Sequence, residues 1–308
     1  SRHDAAREGR RSSVFVTAGQ GRVIGMIAVI SYQFRRLVRG AGISLVFAVV
    51  GSGLWYWQER DVRDQLSWMG VPEWQATSWQ GFNRVLRNDG FLVGWSDIRV
   101  SPLWASYMLN ETAEAPIGDR PSGFERDWRS LWPVTSDQYT RSGYDRGHLA
   151  PNYAIARVYG RDAQLDTFRM TNITPQRPDL NRRVWQRLEE VVMDDFLPRF
   201  GRLQVVTGPV FDERFLHRIG FTQVPAAFYK IIVVPGEHPR ALAFLVPQTV
   251  HGDEPLDRFL VSIDELEART RLDFFPRLPE AVETPLESHI ETQGWGLERV
   301  ARRPGRFD

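Results

Sequence analysis

The sequence predicts an α+β domain built on antiparallel sheet and preceded by a membrane-spanning segment. After Gly90 the chain is dominated by short runs rich in β-branched and aromatic residues and bounded by Gly or Pro, which is how strands read. Stretches with apolar residues at helical spacing interrupt these runs without a strict strand–helix alternation, which favours α+β over a parallel α/β sheet. Upstream lies one uncharged run of 17 residues, 41–57.

Taken in order, residues 1–40 form a basic N-terminal segment with scattered arginines. Its apolar run, Val23 to Tyr32, is too short to cross a bilayer. The chain does not begin with Met, and Met26 is an alternative start. Residues 41–57 read as a transmembrane anchor at the lower limit of length. Arg35, Arg36 and Arg39 precede it, and Trp55, Tyr56 and Trp57 end it like an interfacial aromatic belt. That asymmetry places the N-terminus inside and the remainder on the outer, periplasmic or extracellular, side of the cell membrane in a single pass. A cleaved signal peptide and a buried core helix are the competing readings. Residues 58–89 are polar, tryptophan-rich and weakly periodic, and read as a connector.

Residues 90–308 read as one compact domain. Strands are expected at Phe91–Trp95, Pro102–Leu109, Leu203–Thr207, Phe228–Val234 and Ala241–Val246. A helix is expected from Asn181 to Phe196, with Val184, Trp185, Leu188, Val191 and Val192 on its apolar face. Ser262-Ile-Asp-Glu265 is a capping box that opens another helix.

Composition narrows the chemistry. The chain holds 39 basic and 38 acidic residues, a formal net charge of +1, and no cysteine. Disulfides, thiol nucleophiles, zinc–thiolate sites and iron–sulfur clusters are therefore excluded. Lys230 is the only lysine; every other basic residue is arginine, the better bidentate partner for phosphate. A habit of arginine usage accounts for the same fact. Between Arg120 and Arg187 twelve arginines face seven acids, a local excess that suits a polyanionic substrate.

The densest chemistry lies between Tyr144 and Glu189. His148 can take a proton near neutral pH. Arg146 stands two residues away, so an extended segment turns both side chains to one face. A base beside a phosphate clamp is what phosphodiester hydrolysis requires. Asn181, Trp185 and Glu189 follow at i, i+4 steps and form a stripe on a helix. One amide and one carboxylate suit a hard cation such as Mg²⁺, which keeps most of its waters. Each residue also has a plainer reading: a hydrogen-bonded histidine, a helix-capping Asn181, a core Trp185, a solvated Glu189.

Asp145-Arg146-Gly147-His148, followed by Asn172-Ile-Thr-Pro-Gln176, Leu180-Asn181, Trp185 and Leu188-Glu189, resembles the ββα-metal DNA/RNA non-specific endonucleases. That family includes mitochondrial endonuclease G and secreted bacterial sugar-non-specific nucleases. The resemblance spans roughly residues 90–280 and continues through Thr207-Gly-Pro-Val-Phe211 and Val224-Pro-Ala-Ala-Phe-Tyr-Lys230. It implies a ββα-metal motif in the antiparallel domain and Mg²⁺ as cofactor, with Mn²⁺ a substitute. His148 is then the base that activates water, Asn181 the protein ligand of the metal, and Glu189 the carboxylate that holds the metal's waters. Arg146 and Asn172 contact the phosphate or organise the site. Arg120, in a looser match around Arg120-Pro-Ser-Gly-Phe124, is a further phosphate-binding candidate. The implied activity is hydrolysis of DNA, RNA or both, leaving 5′-phosphate ends. A metal phosphodiesterase on a smaller substrate, and a membrane-tethered DNA-binding protein in DNA uptake, are the rival readings. A homodimer is compatible with the sequence.

Overall fold

The computed structural model describes residues 17–75, 79–214 and 216–305. Residues 1–16 of the basic N-terminal segment lie outside the described residues. The chain falls into two units, Ser1–Arg60 and Asp61–Asp308. One helix, α1, covers Thr17–Leu66 and takes in both apolar runs read from the sequence. Within it Ala41–Leu66, 26 residues with mean hydropathy 1.2, is long and apolar enough to cross a membrane by length and composition. Every residue from 41 to 57 is exposed, which removes the reading as a buried core helix.

The second unit holds strands β1 (Glu73–Trp74), β2 (Arg84–Asn88), β3 (Phe91–Ser96), β4 (Ser101–Asn110), β5 (Asp145–His148), β6 (Ile173–Gln176) and β7 (Arg202–Val210). After them come β8 (Arg218–Ile219), β9 (Thr222–Gln223), β10 (Ala227–Val234), β11 (Arg240–Pro247), β12 (Leu260–Val261) and β13 (Leu272–Asp273). Seven form one sheet in the order β12-β11-β10-β7-β4-β3-β2, with every pairing antiparallel. The five expected strands are all in it. So is β2, which lies in the stretch read as a connector. Its pattern, Arg84-Val-Leu-Arg-Asn88, is polar because Arg84 turns outward to pair with Asp97 at 2.6 Å, while Leu86 is buried.

Both faces of the sheet are covered, which explains why its strands read as continuous apolar runs rather than alternating ones. Phe91, Val93 and Trp95 of β3 and Phe228 and Ile232 of β10 pack on one side. Leu92 and Tyr229, Ile231 and Val233 pack on the other. This is the two-residue period of a strand with each face buried. The second face is closed by α6 (Ile263–Thr270), whose Ser262 cap accepts from the Glu265 N–H at 3.2 Å.

On the first face lie α2 (Asn152–Tyr159) and α3 (Arg161–Asp166), then a continuous helical stretch, 180–200, called here the site helix. It consists of a π-helical turn at Leu180–Trp185, α4 (Gln186–Val191), a second π-helical turn at Val192–Phe196 and α5 (Leu197–Phe200). Trp185 is buried edge-on to Phe228 at 5.8 Å and anchors the helix to β10. Burying a side chain of that size contributes about 1.5–3 kcal/mol. Helices α7 (Glu280–Ser288) and α8 (Leu297–Val300) complete the domain.

Candidate active site

Strand β5 pairs with β6 antiparallel, Arg146 opposite Pro175 and His148 opposite Ile173, and the site helix follows four residues after Gln176. This ββα unit places Arg146 and His148 on one face of an extended strand, as their spacing predicts. Gly147 faces the other way, against Gln176. A Cβ there would come within 2.1 Å of Gln176 Oε1, so close approach demands glycine.

Arg146 and His148 line a cavity of about 500 Å³, together with Arg120, Asn181, Arg182 and Glu189. The His148 ring sits against Phe124 at 5.6 Å and edge-on to Phe168 at 4.9 Å. Its Nε2 is buried and has no hydrogen-bond partner among the described residues. Burial in this aromatic collar, and secondarily the charge of Arg120, lower its pKa from 6.5 to about 3. The imidazole is therefore neutral at physiological pH, with a lone pair available. A plain hydrogen-bonded histidine would not leave that nitrogen unpartnered.

Asn181 lies inside the first turn of the site helix and does not cap it. Its Nδ2 donates to Asp145 Oδ2 at 3.0 Å. This fixes the amide orientation and leaves Oδ1, a hard oxygen donor, with no hydrogen bond among the described residues. Asp145 in turn accepts from Arg182 Nε at 2.8 Å and Nη2 at 2.7 Å. A π-helical turn carries more residues than an α-turn, and such turns recur at functional sites; here one displays Asn181 while Trp185 stays in the core. Glu189, one helical segment on, is half-buried with Oε1 3.6 Å from Lys230 Nζ. Burial raises the pKa of Glu189, and Lys230 pulls it back. An oriented amide oxygen and a carboxylate on one cavity wall fit a hard divalent cation.

The arginines divide by role. Arg120 is exposed at the cavity, 5.3 Å from the Phe168 ring centroid, and makes no hydrogen bond or ion pair among the described residues. Arg146 is braced by Ser136 O at 2.6 Å and Thr140 Oγ1 at 3.2 Å. Others in the basic stretch serve the fold: Arg129 grips Asp127 at 2.6 Å, and buried Arg187 donates to the Glu254 carbonyl. The local excess of charge thus overstates the surface available to a polyanion.

Asn172 departs from the role of phosphate contact. It is fully buried, with Oδ1 accepting from Ala150 N at 2.9 Å and Nδ2 donating to Ala150 O and Thr167 O at 2.9 Å each. Its full burial leaves a substrate no access. Of the two roles expected of it, only organising the site is open, by pinning the backbone two residues beyond His148. Sequence reasoning missed Asp145 as the orienting partner of Asn181, although it opens the motif, and missed Phe124 and Phe168 around His148. It noticed Lys230 as the only lysine and as the end of a family-like segment, without a role at the site.

The model of the DNA/RNA non-specific endonuclease family matches residues 76–281. The chain belongs to this family. A nuclease of Nostoc is 29% identical over 224 residues, 68% of this chain and 79% of that protein. The mitochondrial nuclease EXOG of Xenopus laevis is 30% identical over 70% of this chain and 63% of its own length. Human mitochondrial endonuclease G is 32% identical over 57% of this chain and 64% of its own. A crystal structure of an EndoG/EndoGI complex superposes with a TM-score of 0.61 at 24% identity, covering 71% of this chain and 93% of that one. It shares the fold.

Proposed function

We propose that the chain is a membrane-tethered, Mg²⁺-dependent endonuclease that hydrolyses phosphodiester bonds of DNA, RNA or both. The observation that carries this reading is convergence: the His148 imidazole, the Asn181 amide oriented by Asp145 and the guanidinium groups of Arg120 and Arg146 line one cavity. The names of the relatives, nucleases and endonuclease G, agree with it.

In this reading the neutral His148 imidazole takes a proton from water, which attacks phosphorus in line with the leaving oxygen. The phosphodiester brings negative charge beside Arg120, which offsets the field that depresses His148 and raises its basicity in the complex. Arg120 and Arg146 hold the phosphate without reading bases, so cleavage is sequence-independent. Asn181 through its amide oxygen and Glu189 through its carboxylate would hold a divalent cation such as Mg²⁺, which when bound would supply electrostatic stabilisation of the charge that builds on the phosphate. Products carry 5′-phosphate and 3′-hydroxyl ends.

Helix α1 supports the anchor reading, and Arg35, Arg36 and Arg39 before the apolar run favour a catalytic domain outside the cytoplasm. A plasmid-nicking assay with Mg²⁺, with Mn²⁺ and with EDTA tests the proposal. Nicking abolished by EDTA is expected. Plasmid binding without nicking would favour the DNA-uptake protein, and activity confined to small phosphodiesters would favour the other enzyme.

A further inference from the structure

We infer that Lys230 is a positioning residue for Glu189: its buried ammonium holds one carboxylate oxygen and leaves the other to the cavity. The inference rests on the reading of Glu189 given above.

Lys230 sits mid-sheet on β10, opposite Thr207 and Phe244. Its side chain is 1% exposed and reaches the underside of the site helix. There Nζ lies 4.6 Å from the Trp185 ring centroid and 3.6 Å from Glu189 Oε1. Neither Nζ nor Oε1 has a hydrogen-bond partner among the described residues. Taking two charges out of water costs several kcal/mol per ion, recovered only with excellent geometry. A 3.6 Å contact without a hydrogen bond is not excellent, and a well-packed apolar pair would stabilise the fold at least as well. The pair is therefore better explained by what it does to Glu189 than by what it does for stability.

The composition points the same way. This chain uses arginine at every basic position but one. The exception is a buried slot between an indole face and a carboxylate, which holds a compact ammonium. The indole stabilises the cation, the cation favours the charged form of the half-buried carboxylate, and the carboxylate stays aimed at the cavity that Asn181 and His148 share. Burial lowers the pKa of Lys230 and raises that of Glu189, and each partner's charge works against the other's shift.

The test is Mn²⁺ binding to the full-length protein without substrate, followed by the EPR signal of free Mn²⁺, in wild type, Lys230→Met, Glu189→Gln and the double variant. Lys230→Met is expected to weaken Mn²⁺ binding about 10–100-fold, the range for losing a group that orients a ligand shell. The loss should shrink as pH rises, because the unpaired carboxylate then gives up its proton. In the double variant, Lys230→Met should add nothing to the loss already caused by Glu189→Gln. Should Lys230→Met alone fail to fold, the double variant, which removes the stranded carboxylate, is expected to fold. Wild-type affinity in Lys230→Met beside an impaired Glu189→Gln would overturn the inference alone. So would multiplying losses, or a double variant that also fails to fold. Wild type that neither binds Mn²⁺ nor cleaves would overturn the underlying reading.

Discussion

Asn172→Ala separates an organiser of the site from a phosphate ligand. The substitution deletes three hydrogen bonds of 2.9 Å in a fully buried place, two to Ala150 and one to Thr167. Each buried partner left unsatisfied costs about 1–3 kcal/mol. Since a carbonyl can turn a second lone pair to another donor, about 3–5 kcal/mol in total is expected. For a domain of this size that corresponds to a melting temperature lower by roughly 10 °C. The released segment begins two residues after His148, so the base should lose its alignment. A displacement of about 1 Å can cost 10²-fold in rate. Urea unfolding gives the stability, and plasmid nicking per folded molecule, measured below the transition, gives the rate. Stability within about 1 kcal/mol of wild type together with abolished cleavage would refute the reasoning and return Asn172 to the substrate.

Other outcomes follow from the same geometry. His148→Ala should lower cleavage about 10²–10⁴-fold while DNA binding by gel shift stays near wild type; activity within a few-fold of wild type would remove His148 as the base. Glu189→Ala should be partly rescued by raised Mg²⁺ and Asn181→Ala much less, because the amide is proposed as the direct ligand. Equal rescue curves for the two would contradict that division. Asp264, Glu267 and Glu287 bring carboxylate oxygens within 4.8 Å of one another. Burial first, and then Glu267, raises the Glu287 pKa from 4.5 to about 9. The folded state therefore binds the extra proton, and stability is lost as pH rises from about 4.5 through about 9. Glu287→Gln should flatten that decline in melting temperature, and parallel declines in variant and wild type would count against it. A C-terminal reporter active only in the cytoplasm should stay silent on the full-length chain if the catalytic domain lies outside.

Local pattern carried a large part of the molecule. The five sheet strands follow from local composition, and the site helix, the Ser262 cap and the shared face of Arg146 and His148 follow from spacings of two to four residues. Such spacings report which face a side chain takes before any tertiary contact forms. The run at 41–57 was legible for the same reason, although the helix around it extends to Thr17–Leu66, because helix propensity does not stop where apolar composition does. Strand β2 escaped notice because its Arg84 is satisfied by Asp97, thirteen residues on.

The sequence by itself determined the fold class, the family and the contiguous motif proposed to carry the chemistry. Only the tertiary structure decided what each side chain has left to offer. Asn172 spends its whole amide on Ala150 and Thr167. Asn181 spends its nitrogen on Asp145, 36 residues away, and keeps its oxygen. Arg120 reaches the cavity from a loop, and Lys230 meets Glu189 across 41 positions from the centre of the sheet. The physical reason is that hydrogen-bond satisfaction and burial are set by partners distant in sequence. Residue type states a side chain's capacity, and packing decides how much of that capacity remains for the substrate.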